Sequence, residues 1–283
     1  MTTENRLKEL AATLHNSMRE GVSFTLRKRL RIEWDAVGNV AALRAGAGTH
    51  IVALSFDGGI HMSNQIVSNA DLHALADALI KLFEGSPQET TVLLATQLLL
   101  LDGHPVAPAQ IAARLQLPQE TVTALLHQFG VEWDADGNVV GFGLSLTPTP
   151  HSYIINDRQF YVWCAGDAIT FPILHKTSAV IESPDPINGA KIRLIGTPEG
   201  AKEVEPSTVV VSWMPGTESL ANIRANFCNF TNFFSSVETA AQYVAQHPGL
   251  AIVPVDAVFQ IGKLLWEREP IKSLIAELAQ RQR

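Results

Sequence analysis

The sequence predicts an α+β protein, and three observations carry the prediction. Apolar residues recur at helical spacing between Asn69 and Phe129. Beyond Gly141 come β-rich runs separated by Pro- and Gly-bearing turns. Helical periodicity returns from Val237 to the C-terminus. Hydrophobic residues make up 46% of the 283 and charged residues 17%, enough apolar material for one large domain or two ordinary ones.

In chain order, residues 4–19 read as a helix capped by Thr3, with Leu7, Leu10, Ala11, Leu14 and Met18 on one face. Strands follow at Val22–Leu26 and Ile51–Phe56, with a turn at Asp35–Asn39. Asn69-Ala70-Asp71 opens a second helix that ends at Gly85-Ser86-Pro87, and a third runs from about Glu89 to Leu101. Val106–Leu115 and Leu117–Leu126 have a helix-turn-helix rhythm, and the hairpin Val131–Val140 would be its wing. Later strands are Tyr153–Ile155, Gln159–Val162, Ala179–Ser183, Lys191–Ile195, Thr208–Trp213 and Leu250–Val255. Helices are expected at Val237–Gln246, Asp256–Leu265 and Ile271–Gln282. The expected organisation is an N-terminal extension of unknown role (residues 1–70), a winged-helix-like domain (71–145) and a mixed strand-rich core with helices (146–283). Ile32–Val40 echoes Val131–Val139 about 100 residues later, too far and too brief for a solenoid repeat.

Several function classes fall away on composition. A net charge of −7 argues against a nucleic-acid or anionic-membrane partner. The basic run Arg27–Arg31 is read as a solvated strand or turn. The second helix of the helix-turn-helix pair, Gln119–Phe129, contains no Lys or Arg, whereas a recognition helix needs such side chains for phosphates and base edges. Asp134–Asn138 starts like a calcium loop, but position six is Val139 rather than glycine, and a hairpin turn explains it. No apolar run reaches the ~18 residues of a membrane span. Met1–Arg6 leads into an amphipathic pattern rather than a signal peptide, so a cytoplasmic protein is expected. His61 and Met62 lack partners at metal-ligand spacing, as do the other histidines.

The chemistry rests on two cysteines, Cys164 and Cys228, too few for a disulfide framework. Asp167 stands three residues after Cys164. Two thiols in separate segments, one beside an acid, fit a soft-metal site, a nucleophile or a redox pair. A free cysteine is also often only a small buried hydrophobe.

Two longer stretches carry a family resemblance: Tyr161–Pro172, with Tyr-Val-Trp-Cys-Ala-Gly-Asp, and Arg224–Ser236, with Arg-Ala-Asn-Phe-Cys-Asn-Phe. They resemble the two signature stretches of the bacterial alkylmercury lyases, also called organomercurial lyases. Asp136–Leu144 is similar to the segment joining that family's winged helix to its catalytic core, and Gly249–Val255 to its closing strand. The resemblance covers about residues 71–283 and implies protonolysis of a carbon–mercury bond. It implies that Cys164 and Cys228 hold mercury, as substrate and then as Hg(II) product, while Asp167 acts as base and then acid. Tyr161, Trp163, Phe227, Phe233 and Phe234 would wall an apolar pocket, and Arg224 would support the site through a salt bridge. No dissociable cofactor is implied. The partners would be an organomercurial substrate, with external thiols or a mercuric reductase accepting Hg(II); oligomeric state is left open. Asn229 stands where some members carry a second adjacent cysteine, and Ser183–Pro186 lacks a further one. Two alternatives of other classes are a winged-helix regulator sensing thiophilic metal without lyase turnover, and a redox protein cycling a Cys164–Cys228 disulfide.

Overall fold

The computed structural model describes residues 25–26, 30–34, 41–45, 48–52, 69–215 and 219–280. The helix expected over residues 4–19, together with Arg27–Arg29, His61 and Met62, lies outside the described residues. The chain divides into two compact units, Met1–Asn69 and Ala70–Arg283. In the first, strands β1 (Thr25–Leu26), β2 (Leu30–Trp34), β3 (Ala41–Ala45) and β4 (Gly48–Val52) form one antiparallel sheet in chain order. Trp34 pairs with Ala41 and Trp133 with Val139, each in an antiparallel pair, while the expected turn Asp35–Asn39 lies outside the described residues.

The second unit opens with α1 (Asn69–Gly85) and α2 (Pro87–Leu100). Proline at the first position of α2 surrenders no intrahelical hydrogen bond there. Thr90 Oγ1 donates to Phe83 O at 2.6 Å and closes the corner between the two helices. Nearly every side of α2 is buried, from Val92 through Leu98 and at Leu100. Helices α3 (Pro108–Leu115) and α4 (Gln119–Phe129) stand where the helix-turn-helix was expected. Strands β5 (Glu132–Trp133) and β6 (Val139–Phe142) stand where the wing was expected. Asp134 builds the hairpin turn itself, its Oδ1 accepting from Asn138 N at 2.8 Å and Asp136 N at 3.0 Å.

That hairpin is the edge of a larger sheet. With β7 (Leu144–Ser145), β8 (His151–Ile155), β9 (Arg158–Val162), β10 (Ala179–Pro184), β11 (Lys191–Thr197) and β12 (Gly200–Glu205) it forms eight strands in the order β12-β11-β10-β8-β9-β7-β6-β5. The expected boundary at residue 145 falls between β7 and β8 of this sheet. The described strand pairs are antiparallel throughout. Asn156 and Asp157, at φ 48° and 61°, make the two-residue turn that sets the β8–β9 register, Ile155 opposite Arg158.

Between β9 and β10 lies α5 (Ala165–His175), buried on almost every side. The sequence reading passed over it. It packs against α8 (Val255–Trp266), and Gly262 on α8 makes the close approach possible. A Cβ at Gly262 would lie 2.5 Å from Thr170 Cγ2. A second sheet, β14-β13-β15, comprises β13 (Val210–Trp213), β14 (Phe233–Phe234) and β15 (Ala251–Pro254). The short helix α6 (Ile223–Asn226) and α7 (Val237–Gln246) flank β14, and α9 (Ile271–Gln280) closes the described chain. Asp185 ties the two sheets together, accepting from Ser235 N (2.8 Å), Ser235 Oγ (2.7 Å) and Thr239 Oγ1 (2.7 Å). Among the described residues no helix is long and apolar enough to cross a membrane.

Candidate active site

Strand β9 ends at Val162, and the backbone of Trp163 then donates to Gly143 O at 2.8 Å, turning the chain out of the sheet. Cys164 follows in extended conformation (φ −153°, ψ 170°) as the N-cap of α5. Its sulfur accepts the Asp167 N–H at 3.4 Å, the bond that a Ser or Asp oxygen makes at an ordinary N-cap. The spacing of three between cysteine and acid is therefore a cap-to-third-position spacing. It sets the Asp167 carboxyl in the first turn, beside the sulfur.

Cys228 opens a single 3₁₀ turn, Cys228–Phe230, directly after α6. Thr231 joins the two cysteine segments: its N–H donates to Cys228 O at 3.0 Å, and its carbonyl accepts Ala165 N at 3.0 Å. Ser212 on β13 holds the far side of this turn, donating its hydroxyl to Phe230 O at 2.7 Å and accepting Asn232 N at 3.0 Å. Main-chain hydrogen bonds thus fix where each sulfur points. The result is that both sulfurs and an Asp167 carboxylate oxygen lie within 4.8 Å of one another.

These groups meet a pocket. Asp167 and Cys228 line it, while Cys164, fully buried, sits behind them. The walls are apolar, with Phe83, Phe142, Phe171, Trp213 and Leu265 among them. Of the six residues expected at the pocket, Trp163 and Phe227 line it, while Tyr161, Arg224 and the fully buried Phe233 and Phe234 do not. Tyr161 lies on β9 on the face opposite to buried Phe160 and Val162, as strand alternation requires. Arg224 is drawn away by Glu132, with which it forms an ion pair, and its guanidinium sits 5.0 Å over the Trp163 ring.

The pairing of Arg224 with Glu132 matches the supporting role expected of the arginine, but Glu132 was not anticipated. It sits on β5, 92 residues before Arg224, and its Oε2 also accepts from Ser145 Oγ and Thr147 Oγ1, the latter at 2.8 Å. Nothing local in the sequence marks it. Gln97, on α2, also lines the pocket.

Burial dominates the protonation of the site. It pushes the Cys164 thiol well above its usual range, aided by the hydrogen bond to Cys228 and by the negative field of Asp167. For Cys228 the hydrogen bond to Cys164 acts downward, but burial and Asp167 outweigh it, and the thiol is raised. Burial raises the Asp167 carboxyl to about 7, against the opposing pull of the Cys164 hydrogen bonds and the Arg224 charge. Asp167 Oδ2 has no hydrogen-bond partner among the described residues.

The family's alkylmercury lyase model matches residues 144–267. The alkylmercury lyase of Staphylococcus epidermidis is 40% identical over 171 residues, 60% of this chain and 79% of that protein. The chain belongs to the alkylmercury lyase family. The alkylmercury lyase of Pseudomonas putida is 35% identical over 181 residues, 63% of this chain and 85% of that protein. A crystal structure of the mercury-bound form of MerB2 superposes with a TM-score of 0.60 at 22% identity, covering 73% of this chain and all of that one. The fold is thus shared.

Two departures stand in this alkylmercury lyase sequence. Where some members carry a second cysteine, the main-chain carbonyl of Asn229, which any residue there would present, accepts from Asn232 Nδ2 at 3.2 Å and from the Tyr243 hydroxyl at 3.3 Å. In the segment lacking a further cysteine, buried Ser183 meets buried His151 Nδ1 at 2.9 Å.

Proposed function

We propose that this chain is an organomercurial lyase, cleaving the carbon–mercury bond of alkyl- or arylmercury compounds by protonolysis to give a hydrocarbon and Hg(II). The observation that carries the residue assignment is the meeting of two sulfurs and one carboxylate oxygen within 4.8 Å beside an apolar pocket. Mercury is soft and prefers thiolate to oxygen or nitrogen ligands. A thiolate–metal bond of about 2.3 Å, the zinc value, lets sulfurs about 4.6 Å apart share one ion. Two sulfurs no more than 4.8 Å apart come within that reach.

Both thiols must lose protons to bind the metal. One proton departs with the ligand that mercury brought in. The other passes to Asp167, whose carboxyl, raised to about 7, is a serviceable base near neutral pH and still an acid strong enough to return the proton. When the proton moves to carbon, the electron pair of the carbon–mercury bond becomes the carbon–hydrogen bond. Asp167 is left as a carboxylate, and Hg(II) is held by Cys164 and Cys228. The apolar walls keep water from competing for the Asp167 proton. Glu132 holds Arg224 over Trp163, from where the guanidinium keeps the carboxyl from rising further.

The reaction draws on no dissociable cofactor. Hg(II) would leave by exchange with external thiols, and free thiols or a mercuric reductase are the proposed acceptors. A metal-sensing regulator is not favoured, since the chain belongs to a lyase family and α4 carries no Lys or Arg. The deciding experiment gives the purified protein phenylmercury or methylmercury with excess thiol and measures benzene or methane. Stoichiometric mercury uptake with no hydrocarbon would sink the lyase function.

A further inference from the structure

Strand β13 is buried along its whole length, yet its third residue is a serine at 0% exposure. A buried hydroxyl needs partners, and both partners of the Ser212 hydroxyl lie in the segment just after Cys228. It donates to Phe230 O at 2.7 Å and accepts Asn232 N at 3.0 Å. The main-chain N–H of Ser212 also donates to Asn232 O at 3.0 Å, one step beyond the ladder pairs Val210–Phe234 and Val211–Phe233. The side chain therefore takes over where the β13–β14 ladder stops and the chain turns towards Cys228.

Thr231 lies between the two residues that Ser212 grips, and it too is 0% exposed. Its backbone bonds to both cysteine segments, at Cys228 O and at Ala165 N. Its hydroxyl donates to Phe227 O at 3.2 Å, so the residue before Cys228 is held as well. Packing adds to this grip, because Trp213, next on β13, meets the Phe227 ring edge-on at 5.2 Å. Neither Ser212 nor Thr231 lines the pocket, so whatever they do to the chemistry passes through the backbone that carries the sulfurs.

We propose that Ser212 and Thr231 are positioning residues that hold the Cys228 sulfur where it can share one mercury ion with Cys164. Sharing depends on reach, and the two sulfurs lie no more than 4.8 Å apart. A displacement of about 1 Å is enough to forfeit such a geometry. Mercury would then sit on one protein sulfur, with an external thiol as its second ligand. The serine hydroxyl suits the task because it donates and accepts at once, gripping the chain on both sides of Thr231.

The role rests on the proposed function, in which both sulfurs hold mercury, and the test reads Hg(II) binding so that the two fail separately. Hg(II) affinity is measured by competition with 2-mercaptoethanol in wild type, Ser212→Ala, Cys228→Ser and the double variant. An external thiol replaces a missing protein sulfur, so Cys228→Ser should lose only the advantage of an intramolecular second ligand, about 10²–10⁴-fold. Ser212→Ala should lose at least about tenfold of this, and it should cause no further loss in the Cys228→Ser background. Ser212→Thr keeps the hydroxyl and should restore the wild-type affinity. Thr231→Val keeps the shape and the main-chain bonds but not the bond to Phe227 O, and it is the second arm if Ser212→Ala fails to fold. Its loss should likewise vanish without Cys228. Unchanged affinity in the variant measured, an equal loss in both backgrounds, or a threonine variant as weak as the alanine one overturns the positioning role. Absence of benzene from phenylmercury, with the Hg(II) results as expected, overturns the lyase function instead.

Discussion

Asp167→Asn removes a proton carrier and a buried charge together, so its effects on turnover and on stability run in opposite directions. Burial raises the carboxyl from its ordinary 3.8 to about 7. The folded state therefore holds the proton more tightly than the unfolded chain. The contribution of Asp167 to stability is greatest below pH 3.8, falls as pH rises towards 7, and is level above. At about 1.36 kcal/mol per pH unit the full loss is about 4 kcal/mol, trimmed to about 2–4 because part of the carboxyl faces the pocket. Asparagine carries no charge and escapes this loss.

Urea unfolding of both proteins between pH 5 and pH 8 isolates the effect, since other titrating groups are common to the pair. The stability of Asp167→Asn relative to wild type should improve by about 2 kcal/mol over that range. Hydrocarbon release should fall by about 10²–10⁴-fold, the contribution of a general acid–base. In wild type, kcat/KM should rise with pH through a midpoint near 7 as Asp167 becomes a base. A stability difference that stays flat across the range would mean that the carboxyl titrates near its ordinary value, and the burial argument would fail.

Arg224→Met removes the positive charge that holds Asp167 down, so the pH midpoint of wild-type turnover should move upward; a midpoint that stays put or falls would contradict the electrostatic role. Gly262→Ala pushes a methyl to within 2.5 Å of Thr170 Cγ2 and 3.3 Å of its backbone Cα. It should destabilise by about 1–3 kcal/mol in urea unfolding, with α5 and α8 unable to move apart cheaply. Asp185→Ala strands the Ser235 and Thr239 donors at a 1% exposed position and should cost roughly 2–4 kcal/mol by the same measurement.

What could be read from the sequence follows from which forces act locally. The β8–β9 turn was legible because Asn156 and Asp157 are residue types that tolerate positive φ, and α7 because its apolar stripe faces one side only. Helix α5 was missed for the opposite reason. It is apolar on every face, carries Pro172 inside it, and is capped by a cysteine rather than by serine or aspartate. Strand β12 was missed because Gly200–Glu205 is a charged, largely exposed edge with no alternation to betray it. The two cysteines and Asp167 could be named from their motifs. Glu132, the partner of Arg224, could not, because a contact spanning 92 residues is set by the closing of the sheet and leaves no trace around the glutamate.

Cysteine at the N-cap gathers these points into one physical cause. A helix N-terminus favours a thiolate, through the Asp167 N–H and the aligned peptide dipoles, whereas full burial favours the thiol. Burial prevails, as the raised thiols show, so both sulfurs keep their protons near neutral pH. A soft cation replaces those protons rather than waiting for them to leave. The same burial raises Asp167 to where it can receive one of the displaced protons. Opening the whole cap turn to solvent would therefore ease the thiol and lower the carboxyl together. The site would hold mercury more readily and have a weaker base with which to carry the proton to carbon.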